Sequence, residues 1–490
     1  MVPPADTVVC PQDDQQSRPI MPDKPTIALI NETMTYSHAI KTDQNIIHEQ
    51  SHLPKSRCFY KQLWKSRASI EAVTRHHLNL AKDETCIIAS SQDWIRGGFN
   101  LCIPINIHAA KNPRPSKKLM LRCAMPFKTA EEYYPGTIDE KLGRVYYRIF
   151  YSQSILSKYT THCTAHRIPA AYMLLEHIGS DDSQMLSQTW DQHCRDPKYR
   201  QHLFRDMARI TLSLARVPQP RIGSFRFDAN GTVTLSNRPL LCNMMILEND
   251  GTPRIIPQHA TYTSTDQFVS DMMGIHDARL VSNSNATFSD RDCQRDMAFK
   301  VLARATAHHY IRTESRNGPF LMQFGDLHRS NIFVDKDWNI KWLVDLEWIN
   351  ALPVEKMAVP FWLAGQDFDE VVDTHLAEYD HIRREYMDIF EQEEKLADAQ
   401  HDWHLTDIIR ESWSSGAAWF WQGLSSTNAL DLVFDHHLLP KFFLGHLTFA
   451  QKELLSRFWC EDSAVAVARK VDEYKTYEKD LQDLFAREAK

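Results

Sequence analysis

The chain has 490 residues, 43% of them hydrophobic and 24% charged, with a formal net charge of −7. That length is enough for two or three domain-sized units with a large core, and the composition is that of a globular protein. The acidic balance argues against a broad basic surface for nucleic acid, and no apolar run approaches the ~18 residues of a membrane span. The opening MVPPADTVVCPQDDQQ has neither the basic start nor the apolar stretch of a secretory signal, and no Lys or Arg precedes Arg18, against a mitochondrial presequence. The ten cysteines are scattered without a C-x-x-C pair. Free thiols in a reducing, cytoplasmic setting are therefore expected, not a disulfide framework or a zinc ribbon. With no signal, the N-x-[ST] matches at Asn31, Asn230 and Asn285 read as chance.

Residues 1–25 hold six prolines and few large apolar side chains, so residues 1 to about 50 read as a disordered tail. LCIPINI (101–107) and KKLMLRCAMPF (117–127) are short β-rich or apolar runs joined by the turn-rich HAAKNPRPS. Residues 139–156 place Leu142, Val145, Ile149 and Leu156 near helical spacing. AAYMLLEHI (170–178), bounded by Pro169 and Gly179, reads as a buried strand. The first half is thus a small α+β unit. Leu203, Met207, Ile210 and Leu214 then mark an amphipathic helix. SFRFDANGTVTLSN alternates around Asn230-Gly231 and predicts a hairpin. Another helix fits 292–313. NIFVDKDWNIKWLVD predicts a second hairpin, and residues 366–490 read as helical, with Leu376, Tyr379, Ile382, Tyr386 and Ile389 forming one stripe.

The chemistry concentrates in FGDLHRSNIFVD (324–335) and the WLVDLEW that follows. Asp326 is a carboxylate that can orient an attacking hydroxyl and take its proton, and Asn331, five residues on, carries an amide oxygen suited to Mg²⁺. Asp345, with Glu347 beside it, ends the next strand. A hairpin between them would deliver Asn331 and Asp345 to one point, as oxygen ligands of the kind Mg²⁺ prefers. Singly, these residues are ordinary turn and cap positions; together they point to a phosphotransferase site.

GDLHRSNIFVDKDWNIKWLVDLEW resembles the aminoglycoside phosphotransferase/choline kinase-like family, whose loop reads H-G-D-L-H-x-x-N followed by I-D-x-E, and is most similar to its filamentous-fungal branch. Weaker likeness runs through GGFNLCIPI, LMLRCAMPF, DEKL, YMLLEHI, RIGSFRF, LSNRPL and RNGPF, over roughly 95–365. The resemblance implies an α+β, bilobal protein-kinase-like fold. Residues 1–55 would be a disordered tail, 56–178 a small β-rich N-lobe, and 179–490 a helical C-lobe carrying the catalytic loop (324–347). It implies ATP or GTP with Mg²⁺ and transfer to a hydroxyl of a small molecule, such as a secondary-metabolite or nutrient-derived alcohol. By position, Asp326 would be the catalytic base, Asn331 and Asp345 the metal ligands, Glu176 part of the hinge that meets the adenine, and Gly97 and Gly98 part of the turn covering the phosphates. Arg122 would stand in for the phosphate-binding Lys.

Three positions depart from the family pattern. Phe324 replaces a structural His, Arg122 replaces the Lys, and Val145 falls where that cation's Glu partner is expected, with Glu140 the nearest substitute. The last two keep a second reading open: a pseudokinase that binds nucleotide or a protein partner without efficient turnover.

Two other patterns carry less. HEQSH (48–52) matches the zinc-protease spacing H-E-x-x-H, but Leu53-Pro54 is expected to end any helix there. The aromatic WSSGAAWFWQ (413–422) reads first as core packing and second as a substrate-facing wall.

Overall fold

The computed structural model describes residues 26–30, 32–109, 117–138, 166–179, 182–227, 233–397 and 404–488. The helix expected over 139–156, with Glu140 and Val145, and the turn at Asn230-Gly231 lie outside these residues. The protein is mixed α+β, mostly helical with small sheets.

The chain does not wait until residue 56 to fold. β1 (Thr26–Ala28) and β2 (Thr33–Thr35) form an antiparallel hairpin, and a helix runs from Ile46 to Lys65. Residues 26–55 are expected in the disordered tail as an extension of the proline-rich residues 1–25. Their packing partners come from the far end of the chain. Ile27, Leu29, Met34 and Ile46 pack on Tyr474, Tyr477, Leu481 and Phe485 of the Ser463–Glu488 helix, and the Tyr477 hydroxyl accepts from Ile46 N at 3.1 Å.

Pro54 also fails to stop the Ile46–Lys65 helix, which passes straight through it. An interior proline removes one backbone bond and crowds the preceding turn, at a cost of about 3 kcal/mol. Burial of Phe59 and Leu63 against the sheet, and of Ile46 against the Ser463–Glu488 helix, offsets that cost. His48 and His52 therefore do share a face, with rings 4.5 Å apart. Their Glu is nevertheless engaged elsewhere: Lys128 Nζ donates to both Glu49 oxygens at 2.7 Å. Among the described residues, no group of three or more His, Cys, Asp or Glu is arranged to hold a metal ion.

A five-stranded antiparallel sheet follows. β3 (Thr85–Ile88), β5 (Asn100–His108), β6 (Lys117–Ala124) and β7 (Tyr172–Glu176) pair in that order, and the two-residue β4 (Ile95–Arg96) folds back on β5. The fully buried Leu101, Ile103 and Ile105 alternate with half-buried residues along β5, the signature of a sheet with one face on the core. Phe59, Leu63 and Ile70 from the adjoining helices fill that face.

From β7 the chain crosses to β8 (Gln184–Met185), which pairs with β12 (Ile332–Val334). β12 pairs in turn with β13 (Ile340–Leu343), the predicted hairpin. Its turn is held by Asp335, which accepts from the backbone of Asp337 and Asn339 at 3.0 Å each. Trp338 turns inward, fully buried, and stacks on Trp190 at 5.4 Å. β11 (Leu321–Phe324) pairs antiparallel with β14 (Ile349–Leu352), and β9 (Ser224–Phe227) with β10 (Val233–Asn237). Helices Pro197–Ala215, Thr265–Ser282, Asp290–Thr306, Asp373–Leu396, Leu405–Ser415 and Ala417–Ser425 surround these strands.

Tyr379, Ile382 and Tyr386 of the expected stripe are buried. So are Trp419, Phe420 and Trp421, which serve the core, as the first reading of that segment had it. Cys58, Cys86, Cys102, Cys123, Cys194, Cys293 and Cys460 are free thiols, and no helix among the described residues is long and apolar enough to cross a membrane.

Candidate active site

Two strand pairings bring the predicted residues together. β11 pairs with β14, with Phe324 opposite Ile349, so the chain just after β11 meets the chain just before β14. Gly325 N donates to Trp348 O at 2.8 Å, and a Cβ at Gly325 would lie 2.6 Å from that oxygen. Only glycine permits so close an approach of backbone to backbone. Asp326 is therefore held beside the Leu346–Trp348 turn that follows Asp345. Across the other pairing, Val344 N donates to Asn331 O at 2.9 Å. Asn331 is buried and donates from Nδ2 to the backbone oxygen of Asp326 at 3.0 Å. Its side-chain oxygen makes no hydrogen bond among the described residues.

Asp345 sits in the left-handed region, at φ 57°. Non-glycine residues rarely adopt this conformation, Asp and Asn most readily among them, and such strain concentrates at sites that need a particular orientation. Here it leaves the carboxylate 41% exposed at the end of β13. The Asp326 carboxylate is 32% exposed and lies 4.0 Å from His328 Nε2.

Arg122 reaches this point from β6. Its Nη2 lies 2.5 Å from Asp345 Oδ1. Nη1 and Nη2 donate to the two oxygens of Glu347 at 3.1 and 2.6 Å, a bidentate pair with both side chains buried. With its amide oxygen turned to the guanidinium, Asn100 accepts from Nε at 3.0 Å and Nη2 at 2.6 Å. Burial opposes the guanidinium charge, but Glu347 and Asp345 outweigh it and hold the group above its ordinary pKa.

Arg122, Asp326, Asn331 and Asp345 thus meet in one place. Gly97 and Gly98 form the β4–β5 turn next to it, where Gly97 N donates to Asn100 O at 2.9 Å. Glu176 is not at this center. It closes β7, exposed, opposite Leu119, at the point where the chain leaves the sheet. Phe324 is half-buried against the core of the helical body, a packing role.

Glu347 and Asn100 as partners of Arg122 were not foreseen. Glu347 falls on the Glu of the I-D-x-E pattern and Asn100 ends the RGGFN turn, but neither position indicates Arg122 as its partner. The chain matches no family model and no curated protein.

Proposed function

We propose that this protein is a kinase-fold, ATP- and Mg²⁺-dependent phosphotransferase acting on a hydroxyl of a small molecule. The observation that carries this reading is the contact of Arg122 with Asp345. It joins a cation on the five-stranded sheet to the open end of the hairpin, where Asn331 also lies and holds the Asp326 backbone. A phosphoryl-transfer site requires that convergence of cation, base and oxygen ligands. The sheet and the helical body correspond to the two lobes, with the chain passing between them after Glu176.

The donor set fits a hard divalent cation: the Asn331 amide oxygen and the half-exposed Asp345 carboxylate. Mg²⁺ with the nucleotide would supply charge neutralization at the transferred phosphate. Asp326 orients the acceptor hydroxyl. As its oxygen bonds to the γ-phosphorus, the bond to the bridging oxygen breaks, ADP departs, and the hydroxyl proton passes to the Asp326 carboxylate. Asn331 fixes the Asp326 backbone, and Gly325 fixes the loop against Trp348. Catalysis of this kind is mostly positioning and electrostatics.

One observation favors a second reading. Arg122 is already saturated by Glu347, Asp345 and Asn100. Phosphate must compete with buried carboxylates for it, as expected of a nucleotide-binding scaffold with little turnover. Thermal shift with ATP, with and without Mg²⁺, tests both. The transferase predicts a rise in midpoint that needs Mg²⁺ and is lost in Asp345→Asn. It also predicts nucleotide hydrolysis or transfer that disappears in Asp326→Asn. A Mg²⁺-dependent shift with no turnover in the wild type selects the scaffold, and no shift with any nucleotide rejects both.

A further inference from the structure

A cavity of about 450 Å³ opens beside the Asp326 loop. It is bounded by β11 and the Gly325–His328 loop, by the Pro197–Ala215 and Asp373–Leu396 helices, and by the segment from Lys356 to Phe368. Its size is that of small-molecule sites, which are mostly apolar with a few placed polar groups. The walls here include Phe324 and the buried Tyr386.

The polar groups are unusual. Lys356 lines the cavity, and its amine forms no ion pair or hydrogen bond with any described residue. Burial alone lowers it to about 8, so at pH 7 it remains mostly charged. Trp362 and Gln366 also line the cavity, and Trp362 Nε1 and Gln366 Oε1 are buried without hydrogen-bond partners. Buried polar atoms are ordinarily paired, and a buried cation ordinarily has a counter-ion. None of these three atoms is paired with a described residue, although the titratable groups Asp326, His328 and Asp367 also line the cavity.

We propose that the cavity takes a hydroxy acid with an apolar, aryl-sized body, its carboxylate paired with Lys356 and its hydroxyl directed to Asp326. The carboxylate supplies the missing counter-ion and the apolar body matches the walls. That the bound molecule is the phosphoryl acceptor rests on the phosphotransferase reading; that the cavity selects carboxylates does not. Lys356 is a binding residue here and Asp326 the catalytic one.

The test uses 4-(hydroxymethyl)benzoate, its methyl ester and 4-(hydroxymethyl)benzylamine as probes, titrated calorimetrically into the full chain. A charge-assisted contact predicts that the benzoate binds roughly tenfold to a hundredfold more tightly than the ester at pH 6.5, with the amine weakest. The preference falls as the pH rises past 8 in the wild type, and is absent at every pH in Lys356→Met. Equal binding of acid and ester, a preference that survives in Lys356→Met, or no binding of any probe at millimolar concentration overturns the proposal. Because the wild-type pH profile carries the same information, the result does not depend on the variant folding. A Mg²⁺-ATP thermal shift on the same samples separates the two ideas. Acid preference without a nucleotide shift keeps the carboxylate site and removes the transferase, and a nucleotide shift without acid preference does the reverse.

Discussion

Two cations, the buried Arg122 and the half-buried Lys356, lie on the elements around the Asp326 loop, and they are handled in opposite ways. Arg122, on the sheet side, is met by two carboxylates and an amide oxygen. Lys356, on the cavity side, is met by no described residue. The residue types suit the tasks. A guanidinium is planar, weakly hydrated and matches a carboxylate in two places at once, whereas an ammonium is a compact charge whose pKa moves readily on burial. A saturated cation holds architecture together, while an unsatisfied one costs stability and waits for a ligand. The contrast implies that substitutions at the two sites have opposite signs.

Breaking the Arg122 side gives the largest effect. Glu347→Ala leaves a buried guanidinium with only the half-exposed Asp345 and an amide oxygen. Removing one partner of a buried pair typically costs about 3–5 kcal/mol, and urea unfolding should register a loss of about 3 kcal/mol because Asp345 keeps part of the pairing. Arg122→Met combined with Glu347→Leu should recover much of that loss, since apolar replacement of a whole buried pair is often close to neutral. If Glu347→Ala costs nothing, the pair is not structural and Arg122 is free to serve phosphate.

The Lys356 side is smaller and of opposite sign. Its amine lies below the ordinary lysine value in the folded chain, at about 8, so the unfolded chain binds more protons between about pH 8 and 10.5. Stability of the wild type therefore rises across that window, and the penalty is fully present below pH 8. Lys356→Met should stabilize the protein near pH 7, and the gain should shrink toward pH 10.5. Complete realization of the displacement would be worth about 3 kcal/mol. Because Lys356 keeps part of its hydration in the cavity, a gain of roughly 1–2 kcal/mol is expected. Guanidinium unfolding at pH 7 and pH 10 measures both the sign and its pH dependence.

How much of this could be read from the chain itself follows from the range of each interaction. The β12–β13 hairpin was legible because Asp335 and the alternation around it are local, and that hairpin fixes the separation of Asn331 and Asp345. Arg122 was legible as a strand residue with its side chain on one face. Its pairing with Glu347 was not, because 225 residues separate them and nothing in either neighborhood names the other. The same limit explains residues 26–55, whose core is completed by the Ser463–Glu488 helix, and Pro54, whose local veto is outweighed by apolar contacts from elsewhere. The cavity is the extreme case. Lys356 sits in the unremarked LPVEKM, and its surroundings exist only once segments far apart in the sequence close around it.

Asp345 joins the two sides and offers the smallest and most discriminating test. Asp345→Asn keeps a side chain that tolerates φ 57°, removes one charge from an already 41% exposed group, and leaves Glu347 on Arg122. Surface-accessible ion pairs contribute about 0–1 kcal/mol, so the thermal midpoint should move by only a degree or two. Asp345→Val meets the same loss of charge plus a β-branched residue in the left-handed region, where strain costs roughly 1–3 kcal/mol. Comparing the two isolates backbone strain from charge. A Val variant as stable as the Asn variant would mean that the turn relaxes freely, and the conformation of Asp345 would then no longer argue that its carboxylate is held in position for a ligand.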